Sequence, residues 1–235
     1  MPVTSVLLPN TNALSTGATA DIGGVTMTQQ NTTQINRIHD GSVGSDAVAL
    51  TTDNTMVWVK NFFDDNQIPS GATINGIEVV AGPDSDGVGF GRFGTSAISS
   101  GTCKLKVHLH NGSAFSDALE PKIDVSSITG VSTADSGTSI VFDGTSKVYG
   151  TTDAVLYGGT SDLSGLSWSA SDQAEWGLAF TFTEESNAGV IFGTRGLGLR
   201  CTYTDSFGKV VCGLSSAGII TGIGVPTSVI NITSS

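Results

Sequence analysis

Cys103-Lys104-Leu105-Lys106-Val107-His108-Leu109-His110 alternates apolar and polar residues without a break. Successive side chains of a strand point to opposite faces. The alternation therefore predicts a β-strand with Cys103, Leu105, Val107 and Leu109 on a buried face and Lys104, Lys106, His108 and His110 on a wet one. Asn111-Gly112 follows directly, a pair that favours a type I′ hairpin because both central residues need positive φ. The chain is expected to reverse there.

Working outward, the same chemistry recurs on both sides. Upstream, residues 47–50 and 56–59 are short β-type runs separated by Thr51-Thr52-Asp53-Asn54, and they read as neighbouring strands. Ile68-Pro69-Ser70-Gly71-Ala72-Thr73 supplies a turn, and residues 74–80 resume a strand with Ile77 and Val79 on one face. Downstream, residues 140–142, 178–182, 190–192, 197–203, 210–211 and 229–232 repeat the pattern. About ten strands with turn signals between them predict an all-β fold, a single antiparallel β-sandwich or jelly roll spanning residues 46–235. Ser171-Asp172-Gln173-Ala174-Glu175-Trp176 is the one helix candidate, with Ser171 or Asp172 as its N-cap. No internal repeat of fixed period is present, which disfavours propellers and solenoids.

Composition agrees with this reading. Charged residues are 13% of the 235 and glycine contributes 31, so the polarity comes largely from Ser, Thr, Asn and Gly, the chemistry of strands and turns. A chain of this length can bury roughly 70–75% of its unfolded surface and needs no disulfides to be stable. The formal net charge of -11 repels phosphate backbones and anionic headgroups, so neither nucleic acid nor membrane is expected as a partner. The opening residues lack a basic n-region and a sufficiently long apolar stretch, and no run approaches the ~20 apolar residues that span a bilayer. Synthesis in a cytoplasm is the expectation. Residues 1–45 alternate poorly and are rich in Thr, Asn, Gln and Gly, which predicts an extended N-terminal arm with one or two short strands that orders against a neighbouring subunit.

Gly89-Phe90-Gly91-Arg92-Phe93-Gly94 matches the dinucleotide pattern in letters, but no helix follows to meet a pyrophosphate, and a glycine-rich surface loop is the better reading. Asp84-Ser85-Asp86-Gly87 lacks the remaining oxygen ligands of a calcium loop. His108 and His110 share a strand face without a further ligand nearby and are expected to face solvent. Gly213-Leu214-Ser215-Ser216-Ala217 falls short of a nucleophile elbow. Glu184 and Glu185 are adjacent on a strand and so point to opposite faces. Catalytic, cofactor-binding and metal-binding residues are all read as none. Trp58, Trp168 and Trp176 can fill a core or an interface, or present a shelf for sugar rings. Cys201 and Cys212 flank a predicted hairpin turn at residues 205–208 and would face each other in a symmetric hairpin, or serve as two small buried hydrophobes.

Two stretches carry a likeness. Ile68-Pro69-Ser70-Gly71-Ala72-Thr73-Ile74-Asn75-Gly76-Ile77-Glu78-Val79 and Tyr157-Gly158-Gly159-Thr160-Ser161-Asp162-Leu163-Ser164-Gly165-Leu166-Ser167-Trp168 resemble a group of phage virion and tail-region proteins. That group carries an IPxGATIxGIEV turn-strand, then YGGxxDLWGLxW, then FGV, where this chain has Trp176-Gly177-Leu178. The likeness covers roughly residues 45 to 204. Ser164 stands where the group has Trp, residues 86–94 read as an inserted glycine loop, and neither terminus matches. Gly71 and Gly76 are expected to relieve a tight turn. The resemblance implies a virion component without enzyme activity or cofactor, made in the host cytoplasm and bound to other virion proteins, either major capsid or tail proteins. It fits a homo-oligomeric capsid decoration or accessory head or neck protein, and trimers suit such lattice sites. A tail-tip or fibre module that binds a host glycan or receptor is the alternative.

Overall fold

The computed structural model describes residues 1–4, 7, 9–30, 48–50, 54–63, 67–81, 93–98, 102–122, 131–133, 140–143, 154–184, 190–194, 197–205, 213–214 and 220–221. Its strands are β1 (Thr11–Asn12), β2 (Thr19–Ile22), β3 (Val25–Gln29), β4 (Val48–Leu50), β5 (Thr55–Lys60), β6 (Thr73–Ala81), β7 (Phe93–Ile98) and β8 (Thr102–His110). They continue with β9 (Val131–Thr133), β10 (Ile140–Asp143), β11 (Ala154–Gly158), β12 (Gly177–Glu184), β13 (Val190–Thr194), β14 (Leu197–Thr204), β15 (Gly213–Leu214) and β16 (Ile220–Thr221). The protein is all-β, as the alternation predicts.

The largest sheet has the order β2-β3-β5-β12-β8-β10-β9. Its centre, β12, pairs antiparallel along its full length with β8 and over six positions with β5. The outer edge of β5 is divided between two partners. β3 runs parallel to its start, with Gln29 opposite Met56, and β1 runs antiparallel to its end, with Thr11 opposite Lys60. A second sheet, β11-β6-β14, carries the turn-strand of the likeness at its centre. The run at residues 47–50 does not neighbour β5: β4 joins β13 and β7 in a separate three-stranded sheet.

The side chains of the two larger sheets meet in one core. Val57, Val59, Leu105, Val107, Leu109, Leu178, Phe180 and Phe182 come from the first, and Ile77, Val79, Leu156, Leu199 and Cys201 from the second. Each is buried, and burying side chains of this size contributes about 1.5–3 kcal/mol apiece. The arrangement is sandwich-like.

The N-terminal stretch is bonded to both sheets. The Thr4 N–H donates to the Cys201 carbonyl at 3.0 Å, Leu7 and Leu199 exchange backbone hydrogen bonds, and Tyr203 N–H donates to the Pro2 carbonyl. These bonds extend the second sheet beyond β14. The chain then crosses to the first sheet, where Ala13 N–H donates to the Trp58 carbonyl, and the β2–β3 hairpin turns on Gly23 and Gly24, both at positive φ. The cluster at residues 34–39 lies outside the described residues.

The helix candidate is a 3₁₀ helix, Ala170–Glu175, whose N-cap is Ser169 with no side-chain capping bond. Its sequence has too few strong helix formers for a full α-helix, and the segment is pinned by Gln173 and Trp176 instead.

Candidate functional site

A polar assembly lies on the outer face of the first sheet, where β5 and β8 end and β12 begins beside the 3₁₀ helix. Alternation places Trp58 and Lys60 of β5, Gly177 and Ala179 of β12, and His108 and His110 of β8 on this face. Gly177 has no side chain to fill the middle, and a Cβ there would meet Trp58 Nε1 at 2.8 Å. The Trp58 ring occupies that space. It packs edge-on against His110 and Phe115, each with ring centroids 4.7 Å away, in the geometry that ring quadrupoles favour.

The chain does reverse after β8, but not through a type I′ turn. Only Gly112, at φ 100°, has positive φ, and the Asn111 side chain closes the loop by accepting hydrogen bonds from Ser113 N–H and Ala114 N–H. The returning strap runs back along β8. Ser116 N–H donates to the Leu109 carbonyl and Leu119 N–H to the Val107 carbonyl.

This strap changes the fate of the histidines. His108 and His110 are 6% and 8% exposed, not on a wet face, whereas Lys106 on the same face is exposed. His108 Nδ1 lies 3.0 Å from the Ser116 carbonyl, which places its proton there and leaves Nε2 to accept from the Thr181 hydroxyl at 3.3 Å. Burial pushes the affinity of both rings for a second proton below the ordinary histidine range, against the opposing pull of the Ser116 and Glu175 backbone carbonyls.

The unfolded chain therefore binds more protons than the folded one just below the ordinary histidine value of 6.5. Stability is expected to be level above about pH 7 and to fall as pH drops through 6.5 toward the lowered folded values. Melting temperatures between pH 7.5 and 5.5 test this. A flat profile, or one unchanged by His108→Gln, would show that burial of the rings is not coupled to protonation.

The other singled-out residues divide into two groups. Trp176 is fully buried and stacks edge-on with Trp168 and Phe63, and Trp168 directs its indole N–H to the Leu163 carbonyl at 3.0 Å. Together with the packed Trp58, the tryptophans form aromatic clusters and no exposed shelf. Cys201 is buried in the core, and the apolar surroundings push its thiol up to about 12, a poor nucleophile. Cys212, His39, residues 84–87, residues 89–92, Glu185 and residues 215–217 lie outside the described residues, while Phe93 and Gly94 begin β7, Gly213 and Leu214 form β15 and Glu184 ends β12. Among the described residues no group of three His, Cys, Asp or Glu side chains is placed to hold a metal.

The second notable assembly is the meeting of the two likeness-bearing stretches. Gly76 is not in a turn; it sits mid-strand in β6, and a Cβ on it would penetrate the backbone of residues 159–161. The loop after β11 docks there through Ile77 N–H to the Asp162 carbonyl at 2.9 Å and Gly159 N–H to the Ile77 carbonyl at 3.1 Å. Ser164 and Gly165, at φ 52° and 71°, make the tight turn that brings Trp168 back under Leu163. Glu78 on the same strand pairs with Arg200 of β14 at 2.7 Å. Sequence reasoning did not foresee these contacts between stretches some eighty residues apart, although glycine inside a strand is a signal of close backbone approach.

Comparison with family models, with curated proteins and with solved structures finds no match to this chain.

Proposed function

We propose that the protein is a non-enzymatic structural component of a bacteriophage virion, an oligomeric capsid decoration or accessory head or neck protein. One observation carries this reading. The stretches that resemble phage virion and tail-region proteins, residues 68–79 and 157–168, are one packing unit joined through Gly76, Ile77 and Asp162. What the likeness preserves is therefore a scaffold, and a scaffold with partners on its surfaces is what a virion component requires. On the outer face His108 is held between the Ser116 carbonyl and the Thr181 hydroxyl, a structural role for this histidine that supports the same view.

Particles of the encoding phage, purified and analysed by mass spectrometry, are expected to contain the chain in fixed ratio to the major capsid protein. Light scattering of the purified chain is expected to give a homo-oligomer, with three copies the favoured number. Absence from particles overturns the proposal. Blocking of phage adsorption by the purified chain would replace it with a host-surface binding role.

A further inference from the structure

The chain contains two Asn-Gly pairs, Asn75-Gly76 and Asn111-Gly112, and the structure treats them differently. Asn-Gly is the dipeptide in which a backbone nitrogen most readily attacks the preceding side-chain amide, because glycine does not hinder the approach. At the second pair, the groups such an attack needs are assembled. The Gly112 N–H, which carries the nucleophilic nitrogen, donates to His110 Nδ1 at 3.1 Å. Because Nδ1 accepts that bond, the neutral ring carries its proton on Nε2, and the Nδ1 lone pair already faces the proton that the attacking nitrogen must shed.

The electrophile is equally prepared. Asn111 Oδ1 accepts from Ser113 N–H at 3.0 Å, the Ser113 hydroxyl at 3.1 Å and Ala114 N–H at 2.8 Å. Three donors converge on the oxygen that becomes negative when the carbonyl carbon is attacked, the arrangement of an oxyanion hole. The departing nitrogen, Nδ2, is held by the Ser167 carbonyl at 2.7 Å.

We propose that Asn111-Gly112 is a self-modification site, at which the Gly112 nitrogen cyclises onto Asn111 with His110 as general base. The Gly112 nitrogen forms a bond to Asn111 Cγ while its proton passes to His110 Nδ1. The Cγ–Nδ2 bond then breaks as the imidazolium returns that proton to Nδ2, and ammonia leaves. Water opens the resulting succinimide at either carbonyl to give aspartate or isoaspartate at position 111. No redox change occurs, and water is the only co-reactant.

The product alters the strap. The donor to the Ser167 carbonyl is lost, and a carboxylate appears next to Gly112, where an added Cβ would lie 3.2 Å from Glu175 Cβ and 3.6 Å from Asp172 Cβ. Repulsion among these acids loosens the contact between the strap and the 3₁₀ helix, so the modification acts as a clock on that face.

The first Asn-Gly pair is the internal control. Asn75 and Gly76 lie within β6, with Gly76 opposite Thr202 and Asn75 Nδ2 donating to Thr204 Oγ1 at 2.9 Å. A strand held in its ladder resists the bend that ring closure requires.

Full-length protein aged at mildly alkaline pH and mapped by peptide mass spectrometry, with isoaspartate detection, is expected to show conversion at position 111 and none at position 75. Conversion at 111 is expected to be faster in the folded protein than in denaturant. His110→Phe, which keeps a ring in the aromatic cluster, is expected to slow it roughly a hundredfold. Ser113→Ala removes only an exposed hydroxyl and is expected to slow it about tenfold. Slower conversion in the folded state than in denaturant overturns the proposal, as does an unchanged rate in Ser113→Ala together with a folded His110→Phe. If His110→Phe fails to fold, Ser113→Ala alone decides.

Discussion

Gly76→Ala and Gly158→Ala are each expected to lower stability by about 3 kcal/mol or more, and to abolish folding if the parent has little margin. At Gly76 the new methyl would enter the space of the Gly159 carbonyl oxygen and Thr160 carbon, and would lie 2.7 Å from Ser161 N. These are backbone atoms, tied by the Ile77 and Asp162 hydrogen bonds, so no flexible side chain can yield. At Gly158 the methyl meets the Ile77 carbonyl and the residue also holds φ 75°, which adds a left-handed penalty of about 1–2 kcal/mol. Gly165 separates the two causes. It holds φ 71° with nothing within 4 Å of its Cβ position, so Gly165→Ala is expected to cost only that penalty, about 1–2 kcal/mol. Urea unfolding of the three variants measures the order. Equal losses at all three positions would mean that backbone conformation, not close approach, explains these glycines.

The contrast among these glycines shows what the sequence could and could not reveal. The alternation from Cys103 to His110 identified β8 and its inner face, because that face depends on local period alone. The fate of the outer face depended on where residues 111–119 went, and a wet and a covered face have the same letters until a strap returns. Asn111-Gly112 marked the reversal correctly, yet the turn is closed by the Asn111 side chain and not by two positive-φ residues. The parallel contact of β3 with β5 and the separation of β4 from β5 are non-local pairings that no periodicity encodes. Gly76 was legible as unusual but read as a turn residue, because its partner backbone lies at residues 159–161. Trp176 was visible as a large aromatic, and only the packing of Phe63 and Trp168 around it decides that it is core.

Gln173 should prove as indispensable as any apolar core residue. It is 1% exposed, and it links the turn before β6 to the segment before β12. Its Oε1 accepts from Ile68 N–H at 2.9 Å, and its Nε2 donates to the Ile68 carbonyl at 2.9 Å and the Ala170 carbonyl at 2.8 Å. The side-chain amide thus imitates a strand partner for Ile68, whose own side chain is fully buried. Gln173→Leu keeps the bulk but leaves one buried donor and two acceptors without it, at about 1–3 kcal/mol for each group left unpaired, so a loss of about 3–5 kcal/mol is expected. Gln173→Glu is the sharper test. Above the ordinary glutamate range it would place a buried negative charge against two carbonyl oxygens, which raises its folded affinity for a proton above that of the unfolded chain. At that position the folded state then binds more protons than the unfolded one, so the substitution is expected to cost less stability at pH 5.5 than at pH 7.5, on top of the loss that parent and variant share through His108 and His110. Denaturation midpoints of Gln173→Glu and the parent at pH 7.5 and 5.5 measure whether the gap between them narrows. Parallel slopes would mean that residue 173 is hydrated, and that the junction between Ile68 and the 3₁₀ helix is held by Trp176 packing alone.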